Sequence, residues 1–185
     1  GGLEKADSGE IEYEASHRTA FVFQEPRLMP WLTVWDNVTF GIRKKEKNRE
    51  NISGIISTVG LEGFEKAYPS QLSGGMQQRT AIARALAYRP SFIMMDEPFA
   101  ALDYLTREQM QKELLRVQQK QRCSILFVTH SIDEALLLGH KIVVIENGLV
   151  KTQVRVPELE GDRNLLDEMF VSLKRHMIES LNTAD

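Results

Sequence analysis

Five short apolar runs punctuate the chain, and the stretches between them carry helical patterning. The runs are residues 19–23 (Thr-Ala-Phe-Val-Phe), 91–95 (Ser-Phe-Ile-Met-Met), 124–129 (Ser-Ile-Leu-Phe-Val-Thr), 141–145 (Lys-Ile-Val-Val-Ile) and 149–156. The turn Glu146-Asn147-Gly148 separates the last two. Continuous apolar runs separated by helices predict a sheet buried on both faces, and so an α/β layer. Residues 74–88 are rich in Ala, Gln and Arg and end before Arg89-Pro90, a helix stop. Met110, Leu114 and Val117 lie on one stripe of a predicted helix over 105–121. Leu165, Met169, Phe170, Leu173, Met177 and Leu181 form a similar stripe near the C-terminus. Residues 37–68 are less regular and interrupt the strand pattern, which predicts an inserted helical subdomain. There are no internal repeats and no low-complexity linker.

Composition narrows the classes. The 185 residues are 42% hydrophobic and 26% charged, with a net charge of −3. That is ordinary globular chemistry of about one domain's length. No run approaches the roughly 18 apolar residues of a membrane span, and the acidic balance weighs against nucleic acid as a partner. A single cysteine, Cys123, excludes an intrachain disulfide framework and a cysteine-based zinc cluster, and a reducing compartment is the expectation. The N-terminal residues lack a signal-peptide pattern. The chain opens on Gly1-Gly2, not Met, so a processed or truncated end is expected. The run Arg43-Lys44-Lys45-Glu46-Lys47 reads as a solvated surface segment. Trp31 and Trp35 read as core or subunit-contact residues.

Four places carry candidate chemistry. The run 92–95 delivers Asp96 and Glu97 at a strand exit, the edge of an open α/β sheet where ligands bind. A phosphoryl-transfer site needs such a pair: one carboxylate for Mg²⁺, directly or through water, and a second group to orient or activate water. The bland alternative is an acidic loop. Ser73-Gly74-Gly75 opens the helix over 74–88, where unpaired N–H groups and the helix dipole favour an anion. An ordinary N-cap and turn would look the same. His130 directly follows the strand ending Phe127-Val128-Thr129 and could donate to a terminal phosphate, though a lone histidine there is commonly structural. Gln24 follows Phe21-Val22-Phe23, where its amide oxygen could reach a metal or a water.

Taken in order, these residues make the chain resemble the ATP-binding subunit of ABC transporters. The resemblance rests on Phe23-Gln24-Glu25 as a Q-loop, Leu72-Ser73-Gly74-Gly75 as the signature and Ile93-Met94-Met95-Asp96-Glu97-Pro98 as a Walker B strand. Ala101-Leu102-Asp103 matches the D-loop and Val128-Thr129-His130 the H-loop. Within that family the chain is most similar to the nitrate/sulfonate/taurine import group. The residues carrying this are 24–34, Met76 in the signature, and Ile132-Asp133-Glu134-Ala135-Leu136.

The resemblance implies a RecA-like P-loop NTPase core over residues 1–24 and 90–157. It implies an inserted helical subdomain over 25–89 and a C-terminal helix over 158–185. It implies ATP and Mg²⁺ as cofactors, with Asp96 and Gln24 at the metal. Glu97 becomes the general base or water-positioning residue, and His130 a γ-phosphate contact. Ser73, Gly74 and Gly75 would hold the γ-phosphate of ATP bound by the opposite subunit, and Asp103 would work across the same interface. The partners implied are a second ATPase subunit in a head-to-tail dimer, a membrane permease and, indirectly, a periplasmic or extracellular substrate-binding protein. The protein would then sit peripherally at the cytoplasmic face of the membrane and power uptake of nitrate, an aliphatic sulfonate or taurine.

Two departures from the family pattern stand out. No G-x-x-G-x-G-K-[ST] loop (Walker A) occurs in the chain, whose opening Gly2–Glu10 resembles the segment that follows that loop in relatives. The expectation is an incomplete core, without its first strand and Walker A lysine, inactive by itself. Gly139-His140-Lys141 stands where relatives have an Asp-Arg pair. Two other functions stay open: a non-catalytic fragment that keeps the dimer and permease surfaces, and a soluble ABC ATPase of repair or translation.

Overall fold

Three of the five apolar runs pair as parallel strands, β1 (Thr19–Val22), β2 (Phe92–Asp96) and β3 (Ser124–Val128), in the spatial order β1-β2-β3. The register sets Val22 beside Met95 and Asp96 beside Val128, so the strands finish at a common sheet edge. The computed structural model describes residues 6–12, 18–121, 123–157 and 163–182. It divides into two units, Gly1–Val128 and Thr129–Asp185.

In the first unit, four helices accompany the sheet: α1 (Val34–Val38), α2 (Arg49–Thr58), α3 (Gly74–Ala87) and α4 (Tyr104–Gln121). The first three begin where a short polar side chain accepts a first-turn N–H: Thr33 from Asp36, Asn48 from Asn51, Ser73 from Met76. Such caps satisfy donors that the helix itself cannot. α3 packs against α1, α2 and β1. Its buried face is mostly alanine, with Ala81, Ala83 and Ala85 beside Ile82 and Leu86, so neighbours can approach its backbone closely. Val22, Val34, Val38, Ile56, Leu61, Ile93, Met95 and Phe99 are all at most 2% exposed and form the core of this unit. Each large aliphatic or aromatic side chain buried this way contributes about 1.5–3 kcal/mol of transfer free energy.

The insert is less helical than the pattern predicts. Within 37–68 only the end of α1, a 3₁₀ turn at Lys44–Glu46 and α2 are helical. Gly41, Gly60 and Gly63 take positive φ there and turn the chain where a helix would otherwise run on. Backbone bonds from Val34 N–H to the Ala67 carbonyl and from Trp35 N–H to the Glu65 carbonyl tie the start of α1 to the loop after α2.

The second unit holds α5 (Ile132–Leu138), β4 (Lys141–Glu146), β5 (Leu149–Arg155) and α6 (Glu168–Asn182). Here the expectation of one sheet fails. β4 and β5 are antiparallel partners and not further strands of the parallel sheet. The reason is the connection. Asn147 and Gly148 sit at φ 50° and 79°, a two-residue turn that can only reverse the chain, whereas parallel neighbours need a long crossover. Burial on both faces also fails for β3, where Leu126 is 52% and Val128 49% exposed. One face of the hairpin, with Ile142, Val144 and Val154, packs with Leu136, Val156, Phe170 and Met177 into the core of this unit. Arg163 fastens the end of α5 by donating from Nη1 to the carbonyls of Leu136, Leu137 and Gly139 at 2.9, 3.1 and 2.6 Å.

Candidate functional site

Gln24 lies two residues beyond β1, at the tip of a segment that folds back on itself. Phe23 stacks on Phe21 with ring centroids 5.8 Å apart. The Arg27 guanidinium returns over the Phe23 ring at 4.1 Å, and Arg27 takes φ 45° to do so. The fold-back leaves Gln24 and Glu25 exposed to solvent.

At the same sheet edge β2 ends in Asp96, which is exposed, followed by Glu97, which is half-buried. Glu97 stands at φ 43°, a left-handed conformation that costs a non-glycine residue roughly 1–2 kcal/mol. Its N–H donates to the Val128 carbonyl at 3.0 Å, which keeps it tied to β3 after the ladder has ended. This turn is how two consecutive residues escape the alternation of a strand. Behind it, Phe99 is buried and packs on Phe127 at 5.5 Å, and Leu102 is buried as well.

The loop that these side chains anchor leads to Asp103, which caps α4. Thr106 N–H donates to Asp103 Oδ1 at 3.0 Å, and that bond holds the Asp103 carboxyl below the usual carboxylate range. The same loop runs against the start of α3. A Cβ on Gly75 would lie 3.3 Å from Leu102 Cδ2, so glycine here permits a close approach. A Cβ on Gly74 would meet nothing within 4 Å, which leaves the first turn of α3 open on that side. Burial pushes the Arg79 guanidinium below its ordinary value, while the Asp103 charge pulls it back up.

His130 opens the second unit and is exposed. The residues around it form a hydrogen-bonded turn. Thr129 Oγ1 donates to Glu134 Oε2 at 2.6 Å and accepts from Ser131 N–H at 3.0 Å, and Ser131 Oγ caps α5 by accepting from Glu134 N–H.

The structure therefore brings Gln24, Asp96 and Glu97 to a common edge, and Ser73, Gly74 and Gly75 alongside the loop of Asp103. His130 lies in the other unit. Among the described residues no group of three or more His, Cys, Asp or Glu could hold a metal. A single exposed carboxylate at a strand exit instead suits Mg²⁺, which binds through one or two carboxylates and otherwise takes phosphate oxygens and water. Gln78, which is buried, and Arg84, which is half-buried, tie α3 to the Gln24 segment, and neither is given a role by the sequence reading. A glutamine and an arginine in a helix read as solvent-facing.

The family model described as "ABC transporter" matches residues 2–100. The chain is 46% identical over 181 residues to an uncharacterised ABC transporter ATP-binding protein of Methanocaldococcus jannaschii, covering 95% of this chain and 67% of that protein. It is 41% identical to aliphatic sulfonates import ATP-binding protein SsuB 1 of Pseudomonas fluorescens, with 97% and 68% covered. The corresponding import protein of Bacillus thuringiensis is 43% identical, with 96% and 74% covered. Among solved structures, the dimeric post-hydrolysis state of an ATP-binding cassette bound to ADP and Pi superposes with a TM-score of 0.69 at 34% identity, covering 77% of this chain and 65% of that one. The chain thus spans about two thirds of the length of these relatives.

Proposed function

Because the chain belongs to the ABC transporter family, as one of its ATP-binding subunits with a RecA-like P-loop NTPase fold, we propose that it hydrolyses ATP to drive import of aliphatic sulfonates through a membrane permease. The observation that carries the reading is the convergence of Gln24, Asp96 and Glu97 on a common edge of the parallel sheet. The sulfonate assignment is supported by the import proteins of Pseudomonas and Bacillus, against nitrate or taurine. Residues 1–24 and 90–157 act as the catalytic core, 25–89 as the helical insert and 158–185 as a C-terminal helix.

In this reading Asp96 and Gln24 hold Mg²⁺, which when bound neutralises charge on the phosphate oxygens of ATP. Glu97, fixed by its backbone bond to β3, orients the attacking water and takes its proton. His130 donates to the γ-phosphate. Ser73, Gly74 and Gly75 present the open first turn of α3 to the γ-phosphate of an ATP held by a second copy, and Asp103 works across the same dimer interface. Helix N-terminal N–H groups suit that task, since they are unpaired and lie at the positive end of the dipole. Among the described residues no helix is long and apolar enough to cross a membrane. In the proposed assembly the chain attaches at the cytoplasmic face through the permease, with a substrate-binding protein on the far side and no role for nucleic acid.

Reconstitution with a sulfonate permease, in a version supplied with a Walker A loop, tests the reading. ATP-dependent uptake of a radiolabelled alkanesulfonate is expected. Uptake of nitrate or taurine in preference, or ATP turnover indifferent to the permease, would overturn it.

A further inference from the structure

Helix α3 grips the Gln24 segment on both sides. At the near end, Gln78 Nε2 donates to the Phe23 carbonyl at 3.1 Å, and Gln78 is only 1% exposed. At the far end, Arg84 splits its guanidinium between two carbonyls: Nη1 to Arg27 at 2.9 Å and Nη2 to Pro26 at 3.0 Å. Burial pushes the Arg84 pKa below its ordinary value, and a guanidinium presents its N–H donors in a planar fork that suits two carbonyls at once. Gln24 and Glu25 are the two residues left between the grips, and Arg27 folds over Phe23 to close the segment. The N-terminus of the same helix is Ser73-Gly74-Gly75, one turn from Gln78.

We propose that Gln78 and Arg84 are positioning residues for Gln24, a clamp that makes the Gln24 segment and the phosphate-facing start of α3 move as one body. The physical case is one of cost. Gln78 Oε1 is buried and finds no hydrogen-bond partner among the described residues. A buried amide with an orphaned acceptor is a poor choice for stability, and a methionine of similar shape would pack there without it. What the amide supplies that methionine cannot is the bond to the Phe23 carbonyl, next to Gln24. Arg84 argues the same way, because a desolvated cation spent on two loop carbonyls is expensive unless the loop's position matters. The role in ATP turnover rests on the function proposed above; the clamp itself does not.

Two measurements test it on Gln78→Met, with Arg84→Met as the second variant in case the first perturbs the fold. The first is backbone ¹⁵N relaxation. The order parameters of Gln24, Glu25 and Arg27 should fall clearly in either variant while the melting temperature and the order parameters of β2 hold. Unchanged order parameters at these three residues overturn the clamp, whatever the protein does. The second is epistasis in the ATP-hydrolysing complex with its permease. Gln78→Met should lower permease-stimulated turnover several-fold in the parent and by less than twofold when Gln24 is already Ala. An equal loss in both backgrounds marks a generally structural residue and overturns the positioning role. Absence of ATP hydrolysis in the parent complex would sink the functional reading alone, and the relaxation result would still decide the clamp.

Discussion

Glu97 and Ser73 are the residues whose substitution separates chemistry from binding. Glu97 is placed by a backbone bond and a left-handed turn, neither of which needs its carboxylate. In a version supplied with a Walker A loop, Glu97→Gln should therefore keep the fold and nucleotide affinity while turnover falls about 10²–10⁴-fold, the usual worth of one proton-transfer group. Near-normal hydrolysis in a steady-state assay would remove Glu97 from the role. Ser73 caps α3 on an open first turn. Ser73→Arg places a long cation where a partner's γ-phosphate should dock, so single-subunit ATP binding should survive and the ATP-induced dimer should vanish. Gel filtration in the Glu97→Gln background would show this, and a persisting dimer peak would speak against the role across the interface. The position of Gln24, Asp96 and Glu97 at strand exits was legible because a strand exit is marked by where an apolar run stops. Gln78 and Asn37 were not. Asn37 is fully buried, and its Nδ2 donates to the carbonyls of Met29, Leu32 and Thr33 while Oδ1 accepts from Met29 N–H, yet in the sequence it is one more polar residue beside a tryptophan.

Elements show which patterns were trustworthy. The runs that became β1, β2 and β3, and the helix that became α3, agree with the pattern to within a residue or two at each end. The run 141–145 looked like a buried strand because four of its five residues are aliphatic, but Val143 and Ile145 are 42% and 66% exposed. Apolar content alone does not say which faces are covered; the Asn-Gly turn was the better guide. The insert differs again, since its irregular parts are held by side-chain-to-backbone bonds that no periodicity reports. It also treats its two tryptophans differently. Trp31 is 70% exposed, whereas Trp35 is partly buried beneath the Arg49 guanidinium at 5.9 Å. An exposed tryptophan on a loop braced by Asn37 has the character of an interface anchor. Trp31→Ala should weaken co-purification with the permease about tenfold or more and leave the melting temperature in place. Trp35→Ala should lower the melting temperature itself. Equal retention of permease by the Trp31 variant and the parent would move the contact elsewhere.

For the molecule as a whole, affinity for nucleotide follows from the charges these 185 residues contribute. Asp96 and Glu97 are the charged groups at the sheet edge in the proposed site, and residues 1–185 contain no glycine-rich lysine loop to wrap phosphate oxygens. ATP brings about three to four negative charges of its own. The isolated chain should accordingly bind Mg·ATP weakly, and titration calorimetry on protein shown folded by circular dichroism should give no dissociation constant in the low micromolar range. A tight isotherm would mean that nucleotide binds by contacts other than those described. The parallel sheet was expected from the apolar runs, but the boundary between Val128 and Thr129 was not. It falls at the polar end of the run 124–129, which in the sequence marks a strand exit and not the edge of a unit.

The backbone at residue 97 asks for a different amino acid from the one it has. At φ 43° a glycine would sit without the Cβ penalty, and an asparagine nearly so. Glu97→Gly should remove a backbone penalty of about 1 kcal/mol while forfeiting turnover and the side chain's own contacts, and a denaturant melt would read the balance. A duplicated copy of this gene, relieved of its work, would have no backbone reason to keep a glutamate here.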